Sequence, residues 1–401
     1  MSVARRNLAA WLAFGLVLVP LAAQAAPSPL EVLRSGASDQ GFERAESVPT
    51  FEFPRDHGPH ASFRHEWWYF TGHLRAKDGE RFGFEVTFFR VALAPPRAET
   101  LKPAAGEPVS QWRARQIYVA HFAVTDIGRG TFHSTQRLAR DALGLSGAQA
   151  TPPRVWLGGW SAAAQSAHPD TSSDASDWIL RAGDCAYRLD LKLHPLQPPV
   201  PNGDRGLSVK SSEPGNASYY FSVPRLSIEG DIVRGVCGAG GAQAAGAARP
   251  LEVSGTAWLD REWGSGSLGA RESGWDWFAL QLADGSALMF YALRDEGGVR
   301  DSHSAGTWIE PDGRAQALAS RDVSIEVLDH WRSPNGARYP SRWRVRVASL
   351  GLDVMAVPVL ADQELETTPR YWEGDVDVGG TRDGKAISGE GYVELVGYAG
   401  R

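Results

Sequence analysis

Apolar and polar residues alternate along most of the chain after about residue 60. In one such run Phe84, Val86 and Phe88 share one parity, and Glu85 and Thr87 share the other. Because successive side chains of a strand point to opposite faces, a period of two predicts β-strands. Outside the N-terminal segment, no long stretch keeps the period of a helix. The pattern therefore predicts an all-β protein.

Two aromatic hairpins are the clearest elements in this pattern. The runs 66–74 and 82–90 flank one Asp-Gly turn, and the runs 275–282 and 287–294 flank another. An Asp-Gly pair between alternating runs is typical of a β-hairpin. The first runs of the two hairpins align by their aromatic residues, and each hairpin ends on an arginine. This match indicates an internal duplication, and two unrelated hairpins are the alternative.

A stretch rich in glycine and alanine separates the two hairpins. Residues 238–250 carry no bulky apolar side chain, which predicts a flexible linker or a long loop. We therefore expect one domain at 50–237 and another at 251–401. Bulky aromatic residues on both parities favour barrels in which one face of the sheet points inward and the other is covered. The fold predicted from the residues is two consecutive antiparallel β-barrels.

The N-terminus predicts export. Residues 1–25 combine early arginines, an apolar middle and an Ala-x-Ala exit, as a secretory signal does. A membrane anchor is the alternative, but the apolar run is shorter than the roughly 20 residues that span a bilayer. We therefore expect a periplasmic or secreted protein.

Charge and cysteine content narrow the class of partner and the redox setting. The formal net charge of −6 argues against nucleic acid as a partner. The chain has two cysteines, Cys185 and Cys237. Export makes a disulfide between them possible, and two buried thiols are the alternative.

Two familiar catalytic motifs do not occur in the sequence. It contains no Gly-x-Ser-x-Gly elbow and no phosphate loop. His65 and His73 share strand parity, but at about 3.3 Å per residue they would lie roughly 26 Å apart along one strand. One metal ion cannot bridge that distance. We therefore predict neither a cofactor nor a metal.

The richest group of polar residues lies among tryptophans in the second half of the chain. Burial of a carboxyl group among indole rings raises its pKa and favours the protonated form. Such an acid could protonate a carbon–carbon double bond while a second base activates water. The candidate catalytic residues are Asp260, Glu262, Asp276 and Tyr291, and the candidate ligand-binding residues are Trp263, Trp275, Trp277, Arg261 and Arg294. The alternative is a set of internal ion pairs in which Arg261 or Arg294 neutralises a carboxylate.

Several of these stretches resemble one protein family. The chain is similar to the carotenoid 1,2-hydratase (hydroxyneurosporene synthase) superfamily, and most of all to its AttH-like branch of predicted secreted hydrolases. The matching residues are 65–72, 83–90, 120–123, 215–220, 258–263, 274–278, 371–374 and 391–395. The resemblance implies an all-β fold of two tandem lipocalin-like antiparallel β-barrel domains.

For activity, the resemblance implies a cofactor-independent hydratase. Hydratases of this superfamily add water across a terminal isoprenoid double bond and are thought to use a His-x-Trp pair and a Tyr-x-Asp pair. Trp263 and Tyr291 match, whereas Arg261 stands at the His position and Leu293 at the Asp position. Asp276 or Glu262 would then have to replace the missing groups.

Two functions are consistent with these observations. The first is an exported binding protein that holds a hydrophobic lipid or isoprenoid in its barrels. AttH-like relatives are linked with ABC-type export systems, so the resemblance implies a transporter as a partner. The second is a hydratase or hydrolase that acts on such a molecule. A purely structural interaction module is a third.

Overall fold

The structure, a computed structural model, describes residues 39–96, 114–165, 176–235, 249–266, 269 and 272–399. The predicted signal segment 1–25, Cys237 and residues 238–248 of the predicted linker lie outside this part of the chain. Cys185 is in a disulfide, and Cys237 is the chain's other cysteine. No helix in the described ranges is long and apolar enough to cross a bilayer.

Antiparallel strands make up most of the described structure, as the alternating pattern predicts. Short 3-10 turns lie at Arg55–His57, Ser320–Asp322 and Ala348–Leu350. The strands are β1 (His65–Ala76), β2 (Arg81–Ala92), β3 (Gln116–Asp126), β4 (Thr131–Arg140), β5 (Ser146–Ala150), β6 (Pro153–Leu157), β7 (Trp160–Ala164), β8 (Trp178–Gly183), β9 (Tyr187–Pro195), β10 (Val200–Pro201), β11 (Leu207–Val209), β12 (Ala217–Arg234), β13 (Pro250–Gly264), β14 (Glu272–Leu282), β15 (Ala287–Asp295), β16 (Ala305–Ile309), β17 (Ala315–Ala319), β18 (Ser324–Arg332), β19 (Arg338–Val347), β20 (Leu352–Pro358), β21 (Glu364–Leu365), β22 (Tyr371–Arg382) and β23 (Lys385–Val396).

These strands form two curled antiparallel sheets, which we call the first barrel and the second barrel. The first has 13 strands in the order β4-β3-β2-β1-β13-β12-β9-β8-β7-β6-β5, with β10 and β11 paired to β12. The second has 10 strands in the order β17-β16-β15-β14-β23-β22-β20-β19-β18, with β21 paired to β22. The predicted fold class, two tandem barrel-like domains, is confirmed.

Both barrels repeat one strand order. In each, the first strand (β1 or β14) lies between the second strand (β2 or β15) and the last strand (β13 or β23). The two aromatic hairpins aligned in the sequence, β1–β2 and β14–β15, occupy equivalent places. The shared order supports the interpretation of an internal duplication.

The boundary between the barrels falls later in the chain than the predicted domain boundary at 251. Strand β13 runs from Pro250 to Gly264 and pairs with β1 and β12, so it completes the first barrel. The second barrel begins at Glu272. The sequence analysis placed β13 with the second domain because the glycine- and alanine-rich stretch precedes it, but its pairing partners lie in the first barrel.

Apolar side chains fill the interior of each barrel. In β1, Trp68, Phe70 and Leu74 are fully buried in the first barrel. In β14, Phe278 and Leu280 are buried in the second. Strands all around each sheet contribute to these cores. Packed side chains therefore occupy the space in which the sequence analysis expected a hydrophobic ligand.

The opposite parity of the strands joins the two barrels. Tyr69 and Trp258 of the first barrel pack with Trp277 and Tyr392 of the second in one buried cluster. Glu85, on the polar parity of β2, is fully buried at this interface rather than exposed to solvent. The aromatic residues on both parities predicted that the outer face of each barrel is covered. The structure shows that the other barrel covers it.

Gly83 gives a test of this interface. A Cβ atom at Gly83 would lie 2.7 Å from Asp375 Cβ and 2.7 Å from the Tyr392 hydroxyl oxygen, both in the second barrel. We expect Gly83→Ala to lower the free energy of unfolding in urea by about 1–3 kcal/mol, because the side chain forces the barrels apart. Gly379→Ala, which meets no atom within 4 Å, is the matched control. Equal stability of the two variants would contradict this packing.

Candidate functional site

The interface between the barrels buries a cluster of carboxyl groups. Its members come from β2, β13, β22 and β23, and each lies on the strand parity that faces the other barrel. We call this group the acid cluster. Its five side chains are Glu85, Asp260, Glu262, Glu373 and Glu394, all of them buried or nearly so.

The duplication places two halves of this cluster against each other. In the first barrel Tyr69 of β1 lies opposite Asp260 of β13. In the second barrel Trp277 of β14 lies opposite Glu394 of β23. Each barrel therefore contributes one aromatic residue and one carboxyl group from equivalent strands.

Burial raises the pKa of three of the four glutamates in the cluster. It raises the pKa of Glu394 to about 8. It also raises the pKa of Glu85 to about 8, with a further contribution from Glu394. The pKa of Glu373 is raised well above its usual value by burial and by the charges of Glu394 and Glu85. The Tyr69 hydroxyl donates a hydrogen bond to Glu373 Oε1 at 2.5 Å.

Some carboxyl oxygens of the cluster have no hydrogen-bond partner within the described ranges. These atoms are both oxygens of Glu85 and Oε2 of Glu373. Buried polar atoms of this kind are rare in folded proteins, and water or a ligand usually satisfies them. These oxygen atoms are therefore available for a hydrogen bond to water or to a ligand.

Asp260 is held by three donors on one side of the cluster. The Tyr220 hydroxyl donates to Oδ2 at 2.5 Å, and Ser222 Oγ and Trp258 Nε1 donate to Oδ1 at 2.5 and 2.6 Å. Burial nevertheless outweighs these bonds and raises the pKa of Asp260 to about 7. The carboxyl group can therefore exchange a proton near neutral pH. Trp277 Nε1 donates to the same Tyr220 oxygen at 3.1 Å, which links Asp260 to the second barrel.

A buried lysine accompanies Glu262 at the end of the cluster. Lys210 Nζ lies 3.2 Å from Glu262 Oε1 and 3.8 Å from the ring centroid of Tyr291. Burial lowers the pKa of Lys210, but Glu262 and Tyr291 outweigh it, so the pKa is raised. The Tyr291 hydroxyl lies 2.9 Å from Ser208 Oγ of the first barrel. Glu262 and Tyr291, both predicted as candidates, therefore meet at the interface.

Aromatic rings surround the acid cluster. Trp277 lies edge-on to Tyr69, with ring centroids 5.0 Å apart, and to Trp258 at 6.3 Å. Trp67 and Trp275 pack on the same group while they stay partly exposed. The faces of such rings stabilise positive charge, which suits a cationic intermediate.

Two predicted site residues lie elsewhere, inside the second barrel. Asp276 accepts a hydrogen bond from Arg294 Nε at 2.9 Å and another from the Tyr398 hydroxyl at 2.9 Å. Burial raises the pKa of Asp276, and Arg294 opposes that rise. Asp276 has the parity opposite to Trp277 and points away from the interface. The structure matches the alternative interpretation here, an internal ion pair.

Arg261 and Trp263 lie at one end of the first barrel. Arg261 stacks over Trp68 at 4.0 Å and donates to Glu66 Oε2 at 3.2 Å. Trp263 packs in a cluster with Phe63 and Phe221. Neither residue joins the acid cluster, because both have the strand parity of the barrel interior. Arg261, which stands at the His position of the hydratase pattern, is therefore held by contacts within the first barrel.

The sequence analysis did not name several residues that the fold brings to the site. They are Tyr69, Glu85, Lys210, Tyr220, Glu373 and Glu394. For the five that lie in strands, the signal that could have found them is strand parity, since each alternates with buried apolar residues. Lys210 lies just after β11, outside any strand. Nothing in the alternation itself shows that a second barrel covers this polar face.

The histidines named in the sequence analysis make contacts within the protein. No group of three or more histidine, cysteine, aspartate or glutamate side chains in the described part of the chain is arranged to hold a metal ion. His65, buried in the first barrel, accepts a hydrogen bond from Gly266 N at 3.1 Å. His73 faces Asp375 at the barrel interface, with Nδ1 and Oδ1 3.1 Å apart.

Comparison with known proteins identifies the family. The AttH-like family model matches residues 44–398, which is nearly the whole described chain. The chain therefore belongs to the AttH-like family. A search of curated proteins found no match.

Solved structures share the fold. An AttH-type protein from Nitrosomonas europaea is 31% identical, with a TM-score of 0.74, and the match covers 89% of this chain and 100% of that one. Kievitone hydratase from Nectria haematococca is 14% identical, with a TM-score of 0.63 and coverage of 91% and 98%. CghA in complex with Sch210972 is 16% identical, with a TM-score of 0.51 and coverage of 92% and 99%. The last two likenesses show the fold alone.

The pH dependence of stability tests the protonated state of the cluster. Between the ordinary glutamate pKa of 4.5 and the value of about 8 in the protein, folded Glu394 keeps a proton that the unfolded chain releases. Glu394 therefore contributes most stability at acidic pH and loses that contribution as pH rises to about 8. We expect urea unfolding to show that the wild type loses stability relative to Glu394→Gln as pH rises from 4.5 to about 8. A stability difference that does not change with pH would contradict this expectation. The control is Glu326→Gln, at an exposed residue, whose stability difference from the wild type should not change with pH.

Proposed function

We propose that this protein is a cofactor-independent acid–base enzyme of the hydratase or hydrolase type, with its active site between the two barrels. The observation that carries the proposal is the acid cluster. Four carboxyl groups with raised pKa values, Glu85, Asp260, Glu373 and Glu394, lie together in a buried aromatic environment. Carboxylic acids that stay protonated near neutral pH are suited to general acid catalysis.

The substrate class follows from the charge of the site. The cluster holds five carboxyl groups and one neighbouring cation, Lys210. An anionic substrate would meet ionised or ionisable acids, whereas an uncharged, apolar molecule gains contact with the indole and phenol rings. We therefore propose an uncharged lipid- or isoprenoid-type substrate with a carbon–carbon double bond.

Hydration of such a bond needs an acid and then a base. A protonated carboxyl group such as Glu394 gives its proton to one alkene carbon, and the π electrons form the new carbon–hydrogen bond. The other carbon becomes a cation that Tyr69 and Trp277 stabilise through their ring faces. A water oxygen then bonds to this carbon, and a carboxylate such as Asp260 takes the water proton. The product is an alcohol, and no cofactor is consumed.

Ligand binding without catalysis is the second candidate. Trp67 and Trp275, partly exposed at the rim of the cluster, favour capture of an apolar molecule at the interface rather than inside the barrels. Export through the 1–25 segment and partnership with an ABC transport system belong to this proposal as well. They rest on the sequence pattern and the family resemblance.

A solvent extract and a labelled-water assay separate catalysis from binding. We expect an acyclic polyene with terminal isoprenoid bonds to gain ¹⁸O from labelled water in the presence of the full chain. Glu394→Gln and Glu85→Gln should lower this rate by about 100-fold or more, because each removes a general acid. Glu326→Gln should keep the wild-type rate.

The outcomes distinguish the two functions. Turnover that is lost in the cluster variants supports the enzyme. A stoichiometric, chemically unchanged apolar molecule in the extract, with no turnover of the added polyene, supports binding. Turnover that survives both cluster substitutions would contradict the proposed active site.

A further inference from the structure

A solvent-open cleft lies at one end of the interface between the barrels. It has a volume of about 470 Å³. Five charged residues line it. Arg225 comes from β12, and the other four come from one strand each: Arg75 of β1, Arg81 of β2, Asp377 of β22 and Glu390 of β23. The same four strands also border the acid cluster.

The strand registers place a second layer directly below the cleft. Two residues further along these strands lie His73, Gly83, Asp375 and Tyr392, with His73 paired to Gly83 and Asp375 paired to Tyr392. His73 Nδ1 lies 3.1 Å from Asp375 Oδ1, so the pair spans the two barrels. His73 and Asp375 are both buried.

Gly83 allows the closest approach in this layer. The point that its missing Cβ would occupy is 2.7 Å from the Tyr392 hydroxyl oxygen and 2.8 Å from Asp375 Oδ2. Both oxygen atoms therefore lie close to the β2 backbone at Gly83. Neither oxygen of Asp375 has a hydrogen bond of normal geometry within the described residues.

A third layer, two residues further again, is the acid cluster itself. It holds Glu85 of β2, Glu373 of β22 and Glu394 of β23, and Glu373 and Glu394 face each other in register. Burial raises the pKa of Tyr392 well above its usual value, and Asp375, Glu373 and Glu85 add to this rise. Tyr392 thus lies within electrostatic reach of both the middle layer and the cluster.

We propose that His73 and Asp375 form a proton relay that connects the cleft with the acid cluster by way of Tyr392. This inference rests on the proposed function and adds the route by which the acid is reloaded. Hydration moves one proton from the acid to the substrate and one from water to the base, so no proton is consumed overall. When acid and base are different carboxyl groups, one must gain and the other lose a proton before the next cycle. A relay to solvent supplies both transfers.

The charges around His73 suit this role. Asp375 and Glu390 favour its protonated form, Arg81 disfavours it, and the Tyr392 ring lies 5.6 Å away. Burial lowers the pKa of His73, but the two carboxylates outweigh burial, so the pKa is raised. An imidazole has two ring nitrogens, so it can accept a proton on one side and release one on the other.

Hydrogen–deuterium exchange of the buried carboxyl groups tests the relay without an activity assay. The infrared carbonyl stretch of a protonated carboxyl group is distinct from that of a carboxylate and shifts when its proton is replaced by deuterium. We transfer the full chain into D₂O at mildly acidic pH and follow this band. We expect His73→Gln and Asp375→Asn to slow its exchange by about tenfold or more. His65→Gln, at a buried histidine of the same strand outside the relay, is the matched control and should exchange at the wild-type rate.

Each outcome separates the relay from the proposed function. Slow exchange in both relay variants, reversed for His73→Gln by added imidazole, supports the relay. Wild-type exchange in both variants overturns the relay and leaves the acid cluster intact. Absence of a protonated carboxyl band in the wild type overturns the acid cluster and the proposed function with it. Near-ultraviolet circular dichroism identifies a misfolded variant, and the second substitution then decides.

Discussion

The burial of several carboxyl groups between two barrels is the constraint on which the site depends. Glu85, Glu373 and Glu394 lie too close together, and too far from solvent, for all three to be charged. Protonation is the least costly way to accommodate them, because the described cluster has a single neighbouring cation, Lys210, and that cation is paired with Glu262. The fold therefore holds protonated carboxyl groups in a buried region, where a bound apolar molecule would be shielded from water.

Duplication explains how such a place arises. Each barrel buries one face of its sheet in its own core, and each leaves the other face of its first and last strands available. When these outer faces meet, alternate residues in the central parts of β1, β13, β14 and β23 enter the interface. Tyr69 opposite Asp260 and Trp277 opposite Glu394 are the two copies of one arrangement. The barrels themselves are packed, so the site proposed for the chemistry lies between them.

The sequence predicts much of the fold and only part of the site. Alternation at Phe84, Val86 and Phe88 correctly gives a strand with one face in a core, and the aromatic hairpins give the repeat. Asp260, Glu262 and Tyr291 were found because tryptophans and charges surround them. Asp276 was named as a candidate because it lies between Trp275 and Trp277 in the sequence. In a strand, however, a shift of one residue turns a side chain to the other face of the sheet.

The remaining site residues could not be predicted from the sequence, because the other barrel determines which of them are buried. Glu85 alternates with core phenylalanines, as an exposed strand residue would, and only the presence of the second barrel buries it. Glu373 and Glu394 join it from strands almost 300 residues further along the chain. Arg261 stands in a charged run but bonds with Glu66 and the backbone of Gly58 inside the first barrel. Contacts between residues so far apart in the sequence cannot be predicted from local periodicity.

A direct titration of the cluster tests this account most closely. The chain would be labelled with ¹³C at the glutamate carboxyl carbons, and Glu85→Gln and Glu394→Gln spectra would assign the two signals. The account predicts that both signals shift with apparent pKa values of about 8. Two glutamates that titrate at the ordinary value of 4.5 would contradict it, since acids ionised at neutral pH could not donate the proton on which the proposed chemistry depends.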